Sequence, residues 1–453
     1  MRRAITTVTG LLILSCGPAP GPKPPTPTPV ERMREPPPQR RLAKRPVKVV
    51  YGRFFDVLTL RIDLDHRGSA TEERYVVRGL VREGVWAGSQ TKLLDPFPYG
   101  AHKFEIRDEA TGSLLYSRGY SSLFGEWQTT REAKHSSKGF AESVRLPLPR
   151  APFELRIYSR RGGKLVPVLK TTLDPRGPKV QVWTPTPGAR TTTLHKSGPL
   201  DQRLDILIIG DGYVAAEAEK FHRDARRFAD IMLGDSAFGR YKKRYNIRAL
   251  FVPSKDSGVS EPRKGRNLNT PVGLSFNTLG SPRYMMTTAD RALRNVAANA
   301  PYDALYLLGN TSRYGGGGIY NLYSTFPSDN EYDEYVFIHE FGHSFAGLAD
   351  EYFTSPTSTD GMYKPTEEPA DPNITAFLKG RFKWKKLVTP GTPIPTPPLP
   401  KYRAAVGLFE GAGYRPKGLY RSQLDCKMKG KGHVSFCKVC AAAIARMIEL
   451  YSE

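Results

Sequence analysis

The sequence predicts two unlike folded domains: an all-β sandwich over residues 48–174, then an α/β domain over residues 201–453 built around a metal-binding helix. Three observations carry that expectation. From Lys48 to Asp174, short alternating runs are broken by turn residues with no helical stretch between them, the pattern of a β-sandwich. After Leu200, apolar strand-like runs alternate with stretches of helical period, the pattern of an α/β domain. Within that second region, VFIHEFGHSFAGLADEY (Val336–Tyr352) contains His339-Glu340-x-x-His343, a spacing that suits zinc on a helix.

Composition sets the frame. The chain has 453 residues, 39% hydrophobic and 25% charged, enough for two or three domains with sizeable cores. No apolar run reaches the ~20 residues of a spanning helix. The net charge is +24. A charge of this size suits nucleic acid, an anionic membrane or an acidic polymer as partner. The Lys and Arg are nevertheless spread along the whole chain without a nucleic-acid motif. A generally basic surface, with no nucleic-acid partner, is the expectation.

Residues 1–16 read as an export signal: Arg2-Arg3, an apolar core Gly10–Leu14, then Ser15-Cys16. The ending is similar to a bacterial lipoprotein signal, which would make Cys16 the lipidated, membrane-anchored first residue. Residues 17–47 are rich in Pro and basic residues, the composition of an extended tether. The expected location is the bacterial cell envelope, or outside the cell.

In the β region the expected strands are Arg74–Leu80, His102–Arg107, Leu114–Arg118, Ser143–Leu148, Phe153–Tyr158 and Lys164–Leu169, with Trp86 and Trp127 as large packing residues. His102 and His135 read as structural. The Pro-, Thr- and Gly-rich stretch 175–200 reads as a linker. Beyond it the expected elements are strand Leu204–Ile209, helix Ala215–Leu233, strand Ile247–Pro253, helix Thr287–Ala300 and strand Asp303–Leu308. The tetraglycine Gly315–Gly318 lacks the Gly-Lys-Ser/Thr of a phosphate loop. It reads as a flexible lead into an edge strand at Ile319–Ser324, which could pair with an extended peptide. Besides Cys16 there are Cys426, Cys437 and Cys440. Export favours a disulfide from Cys426 to Cys437 or Cys440; the rival is a structural zinc site of Cys426, His433, Cys437 and Cys440.

The helix at Val336 explains its own composition. Residues four apart share a helix face, so the imidazoles of His339 and His343 can reach one ion. Val336, Phe337, Ile338, Phe341, Phe345 and Leu348 root it in a core. Glu340 stands beside the first histidine, placed to take a proton from a metal-bound water. Gly347 supplies the stop, and the acidic pair Asp350-Glu351 follows.

Taken together, these segments closely resemble the immunoglobulin A peptidase family of bacterial zinc endopeptidases. The similar residues are Tyr116–Ser121, Glu126–Thr130, Ile209–Tyr213, Pro253-Ser254 with Ser257-Gly258, His339–Tyr352, Val406–Gly411 and Phe436–Cys440. The resemblance implies a zincin, metzincin-like catalytic domain, with His339 and His343 as zinc ligands, Glu340 as general base and Met428 where metzincins place a methionine turn. In metzincins a glycine breaks the helix three residues after the second histidine, and the third ligand follows three later. Ala346 and Ala349 hold those positions here, whereas Gly347 and Asp350 stand one residue further on. Asp350 is therefore the expected third ligand. Glu351, one methylene longer, is the alternative, and a second alternative has both acids merely orient the histidines. The expected function is an exported zinc endopeptidase acting on protein or peptide. A metal-dependent amidase on cell-wall peptide and a non-catalytic surface-binding protein are the competing classes.

Overall fold

The computed structural model describes residues 49–353, 362–432 and 434–453. The expected export signal, Cys16, the tether and His433 lie outside them. A single helical turn, α1 (Tyr51–Phe54), leads into β1 (Phe55–Gly68) and β2 (Glu73–Val85), followed by β3 (His102–Asp108) and β4 (Leu114–Tyr120). A short helix α2 (Leu123–Trp127) precedes β5 (Lys138–Pro149), β6 (Phe153–Arg161) and β7 (Lys164–Leu173). Two four-stranded sheets result, β5-β1-β2-β8 and β4-β3-β6-β7, where β8 is Val180–Val182. Alternation along β1 shows why they pack: Leu60, Ile62 and Leu64 are fully buried in the sandwich core, as period-2 side chains on one face must be.

The opposite face of β1 is not solvated. Arg61 and Asp63 are buried there with Glu83, and Arg61 donates to Asn295 of the second domain at 2.9 Å. The two domains thus meet across a sheet face. The stretch 175–200 runs between them but is more than a linker. Its first half supplies β8, parallel to β2, and its second half supplies β9 (Arg190–His195), antiparallel to the second-domain strand Tyr245–Phe251. Unpaired sheet edges on both sides give each half something to hydrogen-bond.

The second domain contains β10 (Leu204–Asp211), α3 (Ala218–Gly234), β11 (Tyr245–Phe251), α4 (Asp290–Ala297), β12 (Ala304–Gly309), β13 (Gly317–Ile319), β14 (Tyr323–Pro327) and α5 (Asp333–Ala346). Its six-stranded sheet runs β13-β14-β12-β10-β11-β9. The inner strands are parallel, and both edge strands are antiparallel. Every residue of β10 is buried, as expected for a parallel strand covered on both faces. A small sheet of β15 (Ile374–Thr375), β16 (Phe409–Ala412) and β17 (Arg415–Arg421) follows, and α6 (Lys438–Tyr451) comes last.

Two further expectations need correction. Trp127 does not belong to the sandwich core that holds Trp86. With Leu123, Phe124 and Phe140 it packs into one cluster with Leu207, Ile209 and Leu250 of the second domain. The edge strand is also displaced from Ile319–Ser324. It is Gly317–Ile319, and after Asn321 at φ 55° the chain re-enters the sheet as the inner strand β14. Half of the glycine run is therefore strand, because this strand passes over α5 at very short range. A Cβ on Gly318 would overlap the carbonyl oxygen of Glu340.

Candidate metal centre and cleft

The α5 helix is fixed at both ends. Asp333 and Glu334 occupy its first turn, where carboxylates complement the helix dipole, and Arg227 binds Asp333 with two nitrogens at 2.7 and 3.2 Å. Underneath, the Tyr306 ring stacks on Phe337 and Phe341 at 4.5 and 4.3 Å. Gly347 ends the helix at φ 62°, its N–H donating to the His343 carbonyl at 3.0 Å, a left-handed cap. The chain then doubles back. The Asn373 amide clamps both backbone groups of Ala349 at 2.8 Å, Gly413 N–H donates to Asp350 O at 2.9 Å, and Glu351 N–H donates to Met428 O at 2.8 Å. Asp350 is thereby held like a strand residue.

Three side-chain atoms converge as a result. His339 Nε2 lies 3.2 Å from His343 Nε2, and Asp350 Oδ1 lies 3.1 and 3.4 Å from the two. The other ring nitrogens are already engaged: His343 Nδ1 faces Leu348 O at 2.5 Å, and His339 Nδ1 faces Lys427 O at 3.1 Å and the Tyr335 hydroxyl at 3.0 Å. Those carbonyls require Nδ1–H, so in the neutral rings that a metal ion needs both Nε2 atoms are acceptors. Asp350 Oδ1 is buried without a hydrogen-bond donor, while its Oδ2 accepts from Tyr414 OH at 2.5 Å. Three acceptors facing one point suit a cation and little else. Donor atoms ~2.0–2.1 Å from a tetrahedral ion stand about 3.3–3.4 Å apart, close to the edges seen. The residues fit a divalent metal ion.

Glu340 lies beside this triangle, its carboxylate within 4.8 Å of both histidines, and is partly open to the cleft. Burial raises its pKa, and the Asp350 carboxylate adds to the rise against the pull of His339 and His343. The Met428 sulfur packs under the helix at Gly342. Glu351, adjacent to Asp350, turns elsewhere: its Oε1 lies 3.2 Å from Cys440 Sγ. The expected disulfide is not formed. Cys426, Cys437 and Cys440 are all free and buried, and Cys426 Sγ stands 3.7 Å from Cys440 Sγ, against ~2.05 Å for a bond.

The triangle sits on the floor of a cleft of about 940 Å³. Gly315–Ile319 line it on one side, and Gly100–His102, Ser121, Ser122 and Glu126 of the β-domain line it on another. The β-domain contact is direct: Ser121 N–H donates to Tyr320 O and the Asn321 amide to Gly119 O, both at 2.9 Å. Glu126 is bonded by Tyr284 OH, and burial lifts its carboxyl to about 7. Sequence reasoning missed Tyr335 and Tyr414, and it named Glu126 only within the resemblance, not as a residue of the cleft. Tyr335 was readable, four residues before His339 on the same helix face. Tyr414 reaches Asp350 only through tertiary structure and left no signal. A third cluster, His66 with Glu73 and His102, is closed by its own ion pairs: His66 contacts Glu73 at 2.9 Å and Glu142 at 2.7 Å.

Comparison with known families decides the assignment. The model of the family described as IgA Peptidase M64 matches residues 192–402 and 398–448. The chain belongs to the IgA Peptidase M64 family. A companion model, Peptidase M64 N-terminus, matches residues 51–167, so an N-terminal domain followed by the M64 catalytic domain accounts for the mixed α/β architecture. Membership in M64 indicates a peptidase, and with it a hydrolase. Among curated proteins, the exodeoxyribonuclease 7 large subunit of Shouchella clausii is 29% identical over 85 residues, 19% of this chain and 17% of that protein. So short a span carries neither fold nor activity across.

Proposed function

We propose that this M64 chain is an exported zinc endopeptidase with a metzincin-like catalytic domain. The convergence of His339 Nε2, His343 Nε2 and Asp350 Oδ1 on the floor of the cleft carries the reading. Those three residues would hold the zinc, leaving one position open as catalytic sites do. When bound, the ion supplies a Lewis acid that polarises the scissile carbonyl and acidifies water. Glu340 accepts the proton of the attacking water and hands it to the leaving amine, a role favoured by its raised pKa. Lys427 O and Leu348 O hold the imidazole tautomers, and Tyr414 orients the Asp350 carboxylate. The strand Gly317–Ile319 lines the cleft beside this group, suited to main-chain pairing with an extended peptide. Lipid on Cys16 would anchor the protein to the envelope, with the Pro-rich stretch as spacer.

The test is digestion of a proteome-derived peptide library with and without a chelator, beside a cell-wall digestion. Cleavage of peptides, lost with chelator, is expected. Glu340→Gln should keep the metal and lose about 10²–10⁴-fold in turnover. Near-wild-type hydrolysis by that variant would sink the assignment of the base, and release of cell-wall fragments alone would make the enzyme an amidase.

A further inference from the structure

Consecutive carboxylates serve different clusters. Asp350 faces the histidines, whereas Glu351 enters a closed pocket with three cysteines. Glu351 and Cys440 are completely buried, and Cys426 and Cys437 are 2% and 4% exposed. Cys440 Sγ and Cys437 Sγ lie 3.2 and 3.8 Å from Glu351 Oε1, Cys426 Sγ lies 3.7 Å from Cys440 Sγ, and one ligand atom of each residue falls within 4.8 Å of all the others. In a tetrahedron with ~2.3 Å metal–sulfur and ~2.0 Å metal–oxygen bonds, S···S edges are about 3.8 Å and S···O edges about 3.5 Å. The pocket has those dimensions.

Its hydrogen bonds point the same way. The N–H groups of Met428 and Cys437 aim at Cys426 Sγ at 3.5 and 3.3 Å, and Cys440 N–H aims at Cys437 Sγ at 3.4 Å. Backbone donors directed at sulfur favour thiolate, as does the positive end of α6, on which Cys437 is the N-cap. Glu351 Oε1 accepts from the Asn373 amide at 3.1 Å, while Oε2 is buried with no partner. Among the described residues no Lys or Arg forms an ion pair with Glu351. Arg421 acts on Glu351 and Cys426 through its charge but forms an ion pair with neither. The four buried acidic groups therefore lack a bonded cation, which is costly, and a bound ion removes that cost.

We propose that Glu351, Cys426, Cys437 and Cys440 form a second, structural site for a zinc-type divalent ion. Its four protein ligands leave no open position, the mark of a structural site. The ion would join the start of α6 and the Met428 turn to the segment carrying Asp350, and it would protect three thiols from oxidation in an exported protein.

The full-length protein loaded with Zn²⁺ should carry two ions per chain. Titration with an organomercurial should release one of them as Cys426, Cys437 and Cys440 react; Cys16, the fourth cysteine, reacts without metal release where it carries no lipid. With Co²⁺ in place of zinc, thiolate-to-cobalt charge-transfer absorption is expected; it should survive His343→Ala and disappear in Cys440→Ser. Should Cys440→Ser fail to fold, the wild-type cobalt spectrum and the thiol titration still decide. A disulfide among Cys426, Cys437 and Cys440 in the non-reduced protein, a cobalt spectrum without thiolate absorption, or one zinc per chain with those three thiols reacting without metal release would each overturn the site. None of these readouts uses peptide hydrolysis, so their failure is separate from any failure of the peptidase reading.

Discussion

Each histidine of the His339–His343–Asp350 triangle has one nitrogen bound to a carbonyl and one aimed inward, so the charge at the centre depends on Asp350. In the metal-free protein burial would lower the His343 pKa, but the Asp350 carboxylate overrides it and lifts the group to about 10. That bound proton stabilises the metal-free fold in full below about pH 6.5, and the contribution is lost as pH rises through 10. A metal ion must displace the same proton, so apparent zinc affinity should climb about tenfold per pH unit across the neutral range. Asp350→Asn removes the charge responsible, and we expect affinity to fall ~100-fold or more with a flattened pH profile. Glu351→Ala should leave the pH profile of the histidine site as it is. Calorimetric zinc titrations in buffers of different ionisation enthalpy count the released proton. An Asp350→Asn protein that binds zinc like the wild type would move the third ligand elsewhere.

At the scale of elements, β13 and α5 are locked by a contact that tolerates no side chain. Gly318→Ala places a Cβ against the Glu340 carbonyl, a backbone atom that cannot swing aside. The edge strand must lift, at a cost of about 1–3 kcal/mol, and peptide cleavage should drop at least ~10-fold while zinc stays bound. Gly430→Ala, also on the cleft but with open space at its Cβ, is the matched control, and equal activity in both variants would dissociate β13 from substrate binding. Such contacts also mark where sequence legibility ended. Strands such as β3 and the α5 helix were readable because side-chain period follows burial, as in Phe104 and Ile106 of β3, whereas β1 was not among the expected strands. Asp350 was singled out through the glycine-to-ligand interval of the family resemblance, whereas Gly347 was readable because a helix stop is local chemistry. The strand at Gly317–Ile319 was not, since glycine there answers to a neighbouring helix that no local pattern reveals. The same holds for β8 and β9, recruited by open sheet edges, and for Glu351, drawn to cysteines 75 or more positions along the chain.

For the whole molecule, the decisive feature is that the two domains share apolar core as well as a cleft. Trp127 is fully buried against Phe124 and Phe140, in the cluster that also holds Leu207, Ile209 and Leu250 of the second domain. It is next in sequence to Glu126, which lines the cleft and is held by Tyr284. Around it, Arg145 donates to Tyr302 O and Arg294 to Ser143 Oγ, both at 3.0 Å, so polar bonds ring the apolar contact. A β-domain joined in this way should melt with the catalytic domain, and calorimetry of the wild type should show one cooperative transition. Trp127→Ala leaves a cavity in the shared cluster and should remove ~3–5 kcal/mol of stability. Because the loss falls at the joint, the variant should melt in two steps, the β-domain and catalytic domain separately. Its KM should rise more than its kcat falls, since the metal triangle is untouched while one wall of the cleft loosens. Two resolved transitions in the wild type, or a Trp127→Ala protein as cooperative as its parent, would mean the domains are neighbours and not one folding unit.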